Sequence, residues 1–210
     1  MTKISIVREG KIYAALSMLL AALSYSYSQL ASLVLVSFAG FILYFFRDPE
    51  RRIPEGANLV LSPADGRVTK IEEVSYPFLG GSGKVVSIFL SPFDVHINRS
   101  PISGTVDFME YTKGRKYPAY LKRASAKNES NLIGIDGGDT KVMVKQIAGS
   151  FARRIVTWVS KGGAVLRGEK LGMIRFGSRT EIFVPDTVAI NVSVGEKVKA
   201  GESVIGEIRE

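Results

Sequence analysis

Three short polar segments interrupt apolar stretches and carry side chains able to do acid, base or nucleophilic chemistry. They are SPADGRV (62–68) with Asp65, SPFDVHINRSP (91–101) with Asp94 and His96, and RFGSRTEIFVP (175–185) with Ser178 after Gly177. A carboxylate, an imidazole and a hydroxyl brought to one point can move protons and attack a carbonyl. His96 is the single histidine, so a histidine-dependent reaction has one candidate. Read one at a time, the same residues are ordinary: Asp65 before Gly66 is a turn aspartate, His96 a structural or exposed histidine, and Ser178 a turn serine. The absence of cysteine removes disulfides, thiolate zinc sites and cysteine nucleophiles together, and leaves carboxylates as the basis for any metal site.

The elements that must position these residues fall into two parts. The 210 residues suffice for one domain with a real core plus an appendage, or for two small domains. Residues 12–46 contain no charge and are flanked by Lys3, Arg8 and Lys11 on one side and Arg47, Arg51 and Arg52 on the other. At about 1.5 Å per residue, a single straight helix of that length far exceeds a hydrocarbon core of about 30 Å. The polar SYSYSQ segment (24–29) supplies a turn, so residues 1–52 are expected to form a helical hairpin that dips into or crosses the membrane. The basic flanks put both ends, and the remaining domain, on the cytoplasmic face of the cell membrane. A cleaved signal peptide fits less well, because the apolar run is too long and no small-residue cleavage site follows it cleanly. A net charge of +8 suits an anionic partner, either nucleic acid or a phospholipid surface, and the hairpin favours lipid.

From residue 53 to 210 the texture is of short apolar alternations separated by Gly, Pro, Asn and Asp. Strands are expected in RVTKIEEV (67–74), KVVSIFLS (84–91), GTVDFMEY (104–111) and KVMVKQIA (141–148). The pattern GxxVxxGE occurs at Gly162, Val165, Gly168 and Glu169 and again at Gly195, Val198, Gly201 and Glu202, 33 residues later. It suits tight hairpins with glycine at positive φ and valine facing the core. The expected fold is therefore mainly β with a few helices, a small barrel or sandwich whose hairpin repeats resemble lipoyl and biotinyl domains. In such carriers a hairpin lysine takes the cofactor, but Lys197 and Lys170 lack the Met-Lys-Met setting and read as solvated turn lysines. A helix is expected over 117–127, and 150–159 suits either a helix or, at its β-branched end, a strand.

Taken together, seven ordered blocks resemble the phosphatidylserine decarboxylase family in its short, membrane-anchored bacterial and archaeal type. They are the amino-terminal hairpin, FFRDPER (45–51), PADGRV, LSPFDVHINRSP, KNES (127–130), QIAGSFARRIV (146–156) and GMIRFGSRTEIFVP (172–185). The resemblance implies a proenzyme that cuts its own chain between Gly177 and Ser178, giving a larger chain 1–177 and a smaller chain 178–210 that stay together as a heterodimer. Higher homo-oligomers are left open. Glycine at 177 leaves the carbonyl approachable by the Ser178 hydroxyl, and the amide becomes an ester. Elimination and hydrolysis then turn Ser178 into a pyruvoyl group, the covalent cofactor, with no metal and no external cofactor. Its ketone condenses with the headgroup amine as a Schiff base and accepts electrons as carbon dioxide leaves. The implied substrate is the serine headgroup of phosphatidylserine, or of archaetidylserine in archaea, and the product is the ethanolamine lipid.

The resemblance makes His96 the proton acceptor or donor beside Ser178 and Asp65 its orienting carboxylate, with Asp94 a further candidate. Longer members carry two histidines where this chain has His96 and Arg99. Either His96 serves both self-cleavage and decarboxylation, or one step relies on Asp65 and water. Lys116, Lys122 and Arg123, within a basic cluster that also holds Lys113, Arg115 and Lys127, are candidates for the lipid phosphate, although a solvated face reads equally well. Arg153 and Arg154 suit either phosphate or core carboxylates. Two other classes compete. A non-enzymatic membrane adaptor with a lipoyl-like domain would have no need of Gly177-Ser178, and a basic nucleic-acid module would show an aromatic-basic motif that is missing here.

Overall fold

Helix α1 (Arg8–Ser24) and helix α2 (Gln29–Phe45) form the expected hairpin, with the turn falling in SYSYSQ. Ser28 starts α2 by accepting a hydrogen bond from the Ala31 N–H at 3.2 Å, an N-cap that satisfies one orphan donor. The buried residues of α1 are Gly10, Ala14, Ser17 and Ala21, a stripe of small side chains at helical spacing that lets the helices approach closely. A Cβ at Gly10 would collide with Phe46, and the Ser17 hydroxyl donates to the Leu35 carbonyl at 2.8 Å. Short strands β1 (Ile4–Ile6) and β2 (Arg47–Pro49) pair antiparallel and close the base of the hairpin. The outward positions include the apolar Leu16, Leu19, Leu23, Leu30, Leu33 and Phe38. No described helix is long and apolar enough to cross a membrane, and seventeen residues reach only about 25 Å.

The computed structural model describes residues 4–114, 117, 127–149, 155–175 and 178–209, with Ser178 given by its backbone, and divides into units of residues 1–50 and 51–210. The second unit is almost entirely strands: β3 (Leu59–Leu61), β4 (Gly66–Tyr76), β5 (Gly81–Leu90), β6 (Ile97–Arg99), β7 (Gly104–Thr112), β8 (Ser130–Asp136), β9 (Lys141–Ala148), β10 (Ile155–Thr157), β11 (Ala164–Val165), β12 (Lys170–Ile174), β13 (Ser178–Pro185), β14 (Val188–Ile190), β15 (Lys197–Val198) and β16 (Val204–Ile208). All four strands expected from alternation are present, and 155–157 takes the strand alternative. The helix expected over 117–127 lies almost wholly outside the described residues.

The strands form an eight-stranded antiparallel sheet in the order β11-β7-β8-β9-β13-β5-β4-β15 and two three-stranded sheets, β10-β12-β6 and β14-β16-β3. Among the described residues the edge strands β11 and β15 do not pair with each other, so the large sheet is a curled half-barrel and not a closed barrel. One apolar cluster takes Val68, Val86, Ile88, Val144 and Ile182 from the large sheet, Val60, Val188 and Ile205 from one small sheet, and Leu171 from the other. Burying these faces against each other is the main favourable term for the unit. A second cluster, Leu79, Leu132 and Met143 with Phe78, Phe108 and Phe183, includes residues on the opposite face of the large sheet.

The GxxVxxGE repeat turns differently from expectation. Its glycines do take positive φ and its valines are buried, but its strands do not pair with each other. Instead β11 pairs with β7 and β15 pairs with β4, so each repeat seals one edge of the large sheet. With only two residues each, these strands gain more from that edge than from a hairpin of their own.

This arrangement exposes a duplication of the whole unit. The sheet order reads the same from both ends when β11, β7, β8 and β9 are matched to β15, β4, β5 and β13. Ser62-Pro63 before Gly66 and Val68 corresponds to Ser100-Pro101 before Gly104 and Val106. The contacts match too: the Ser62 hydroxyl donates to Ala64 O and the Ser100 hydroxyl to Ile102 O, each at 2.7 Å. The Gly195 N–H donates to Val68 O and the Gly162 N–H to Val106 O, each at 2.8 Å. A Cβ at Gly66 or at Gly104 would strike the carbonyl of the neighbouring strand, Phe89 or Asp136, which explains glycine at both. One half is β3–β5 with β13–β16. The other, β6–β12, is inserted within it, so the chain passes between halves twice: from β5 to β6 and from β12 to β13.

Candidate functional site

Those two passages hold three of the candidate residues. The first spans residues 91–96 and holds Asp94 and His96, and the second ends at Ser178, the first residue of β13. Ser178 lies between two strands, opposite Leu90 of β5 and Ala148 of β9, so both neighbours hold its backbone. The Ile174 N–H donates to the His96 carbonyl at 3.2 Å, which ties the end of β12 to the histidine segment. Gly177 lies outside the described residues.

His96 is buried, and its Nδ1 lies 2.9 Å from the Asp94 carbonyl oxygen. Asp94 holds the turn that presents it. Its Oδ2 accepts from the Ser91 N–H at 2.8 Å and from the Ser91 hydroxyl at 2.7 Å, while Oδ1 lies 4.0 Å from Lys197 Nζ. Asp94 thus shapes the loop through its side chain and meets the imidazole through its backbone.

Asp65 is occupied differently from the orienting role expected for it. Arg51 Nη2 lies 2.9 Å from both carboxylate oxygens, and the Ala200 N–H donates to Oδ1 at 2.8 Å. Its hydrogen bonds therefore go to Arg51 and Ala200 rather than to His96. Burial pushes the Asp65 carboxyl above the ordinary aspartate range, and the nearby charge of Asp94 adds to that; Arg51 and the Ala200 N–H pull it down without cancelling the rise. The site therefore contains a carboxyl that holds its proton more readily than a solvated aspartate.

Beneath these groups runs a buried polar chain. Asn98 donates through Nδ2 to Thr180 Oγ1 at 2.9 Å and to Pro63 O at 3.2 Å, and it accepts at Oδ1 from Gln146 Nε2 at 2.9 Å. Asn131 Nδ2 continues it to Gln146 Oε1 and Thr157 Oγ1. Asn98 stands two residues after His96 and Thr180 two after Ser178, so this bond sets the registers of the two passages against each other. Fully paired buried amides rigidify their surroundings. At the far side Asn128 of the KNES segment donates to Ala148 O at 2.7 Å, bracing the strand opposite Ser178.

Arg51, Asn98, Thr180 and Gln146 were not singled out from sequence. A signal for two of them was present: Asn98 and Thr180 each stand two residues after a candidate residue, His96 and Ser178. Arg99, at the place of the second histidine, donates through Nη1 to Gly168 O at 3.0 Å, holding a turn of the repeat. Lys116, Lys122 and Arg123, like Arg153 and Arg154, lie outside the described residues. No cluster of three or more potential metal-ligating side chains occurs among the described residues.

A family profile described as phosphatidylserine decarboxylase matches residues 38–206. A phosphatidylserine decarboxylase proenzyme of Symbiobacterium thermophilum is 45% identical over 206 residues, covering 97% of this chain and 95% of that protein. The proenzyme of that name from Syntrophus aciditrophicus is 51% identical over 168 residues, 79% of each chain. A protein of Archaeoglobus fulgidus, provisionally named an archaetidylserine decarboxylase proenzyme, is 45% identical over 199 residues, 95% of this chain and 94% of its own.

Proposed function

We propose that this chain, which belongs to the phosphatidylserine decarboxylase family, removes carbon dioxide from the serine headgroup of a glycerophospholipid and leaves the ethanolamine lipid. Phosphatidylserine and archaetidylserine share that headgroup, and the names of the relatives include both lipids. The observation that carries the reading is that Asp94 and His96 stand on one passage between the two halves and Ser178 ends the other, with Asp65 near enough to Asp94 to feel its charge.

The chain is made as a precursor and cut between Gly177 and Ser178, in line with the name proenzyme borne by its relatives. The Ser178 hydroxyl attacks the Gly177 carbonyl and converts the amide to an ester; loss of the Ser178 α-proton then breaks that ester by elimination. His96, oriented through Nδ1 by the Asp94 carbonyl, accepts and returns protons. Asp65, raised by burial, is a reserve proton carrier whose place is fixed by Arg51 and Ala200. The strand frame fits the pyruvoyl group this chemistry leaves at Ser178, because β5 and β9 hold the backbone of that residue on both sides when the bond before it is cut. That group supplies a ketone able to accept the electrons released as the headgroup carboxylate departs.

The smaller fragment remains in place. Its β13 is central in the large sheet, and β14 and β16 belong to a small sheet with β3 of the larger fragment. The amino-terminal hairpin anchors the chain by immersing its apolar outward faces in the membrane, with the catalytic unit on the cytoplasmic face. The exposed apolar side chains of both helices and their small-residue seam support this, and their length favours immersion over a full crossing.

Denaturing mass spectrometry tests the reading. The expected result is two fragments divided at Gly177/Ser178, the smaller being 210 − 177 = 33 residues with a blocked keto terminus. Turnover of phosphatidylserine by an intact chain, or by Ser178→Ala, would overturn it.

A further inference from the structure

The duplication supplies an internal control for charges that the fold itself does not need. At one edge of the large sheet Lys197 of β15 stands directly opposite Arg67 of β4. At the equivalent edge the same frame carries Ala164 opposite Thr105. All four residues are exposed, and both edges keep the same buried valine, Val198 or Val165. Two like charges directly opposite on paired strands are unfavourable, and the other half shows that the edge forms without them. Edge pairing by itself thus gives no reason for two cations at this place.

Their surroundings indicate one. Arg67 is exposed and donates through Nη1 to the Gly195 carbonyl. Lys197 is 71% exposed, and its ammonium reaches Asp94 only at 4.0 Å, a loose contact. Measured along the sheet, β15 is three strand spacings from β13, roughly 14 Å. The Lys197 side chain shortens that gap by leaning toward Asp94, in the passage that leaves β5, the strand next to Ser178. Lys197 beside the His96 segment, with Arg67 opposite it, supplies two cations of the kinds that recognise a phosphate-type anion.

We infer that Arg67 and Lys197 bind the phosphodiester of the substrate headgroup and so set the enzyme's preference for phosphoserine lipids over free serine. This rests on the decarboxylase reading above. It also assigns a role to Lys197, which sequence alone leaves as a solvated turn lysine, and it does not depend on the basic cluster at 113–127. The phosphate anchors the headgroup at the rim, while its amine and carboxylate extend toward Ser178. No bond is made or broken at these two residues.

The test replaces each cation by the residue that the other half carries at that place, Lys197→Ala and Arg67→Thr, singly and together, in the full-length chain. Decarboxylation is measured with a short-chain phosphatidylserine kept monomeric in solution, so that attraction to a charged bilayer contributes nothing. Each single variant is expected to raise KM about tenfold, the loss of one charge-assisted contact, and the double variant further. Self-cleavage by denaturing mass and kcat should stay within about twofold of the parent. An unchanged KM in an active, fully cleaved double variant overturns the assignment, as does a fall in kcat at unchanged KM. A change seen only with anionic vesicles, and not with the monomeric lipid, also overturns it and points to bilayer attraction. Absence of decarboxylation by the parent chain would instead sink the functional reading beneath it.

Discussion

Replacing Arg51 by methionine keeps most of the buried stem and removes the charge that holds Asp65. The Arg51 and Asp65 side chains are only 4% and 14% exposed, so the carboxylate would remain largely buried with the Ala200 N–H as its surviving hydrogen-bond donor. Breaking a buried pair in this way costs roughly 3–5 kcal/mol while the remaining group stays charged. Protonation of Asp65 limits that cost, at about 1.36 kcal/mol for each pKa unit. The folded pKa of Asp65 is already raised, so its contribution to stability is full below the ordinary aspartate value and is lost as pH rises through the folded pKa. Without Arg51 the folded pKa rises further, and the loss with pH becomes larger. The destabilisation by Arg51→Met should therefore be small near pH 4 and grow to about 3 kcal/mol by pH 8. Urea unfolding in micelles, on uncut Ser178→Ala chains with and without the substitution, measures this without interference from cleavage. A destabilisation independent of pH between 4 and 8 would refute the claim that Arg51 offsets a buried negative charge at Asp65. A destabilisation that shrinks as pH rises would refute its sign.

Asn98→Ala removes three buried hydrogen bonds and should cost about 2–4 kcal/mol, whereas Thr180→Val should cost about 1 kcal/mol. Their double-mutant cycle should show coupling, and Asn98→Ala should slow self-cleavage in a timed denaturing-mass assay; additive effects would argue against the bond between the two passages. After maturation the 33-residue fragment should co-elute with the larger one in native gel filtration and separate only in denaturant, because β13 is flanked by β5 and β9. A chain lacking residues 1–50 should lose resistance to carbonate extraction from membranes while unit 51–210 still folds, as read by circular dichroism. Asp94→Ala, which frees the Ser91 turn, should reduce kcat or the cleavage rate about tenfold through misplacement of His96.

Much of this protein is legible in its residues taken in order. Alternation with period two specifies β4, β5, β7 and β9, since a half-buried strand must present apolar side chains on one face. The uncharged run broken by SYSYSQ specifies two short helices, and glycine at four repeat positions specifies positive φ. The candidate residues Asp65, Asp94, His96 and Ser178 stand out because their types are rare in such surroundings and because their blocks match a family. What the sequence could not give is which strand lies beside which. The GxxVxxGE repeat looks like a hairpin locally, yet its two-residue strands seal opposite edges of a sheet assembled from both halves of the chain. Likewise Asp65 suits an orienting partner for His96 by type alone, while its actual partner is Arg51, fourteen residues earlier and without any spacing rule to announce it. Lys197 gains significance only through its place opposite Arg67 and within reach of Asp94. Local pattern reports what each segment can bury, but pairing across 82 residues, as from Asn98 to Thr180, depends on which strands meet when the core closes. That closure is a property of the whole sheet, and it decides where the chemistry is assembled.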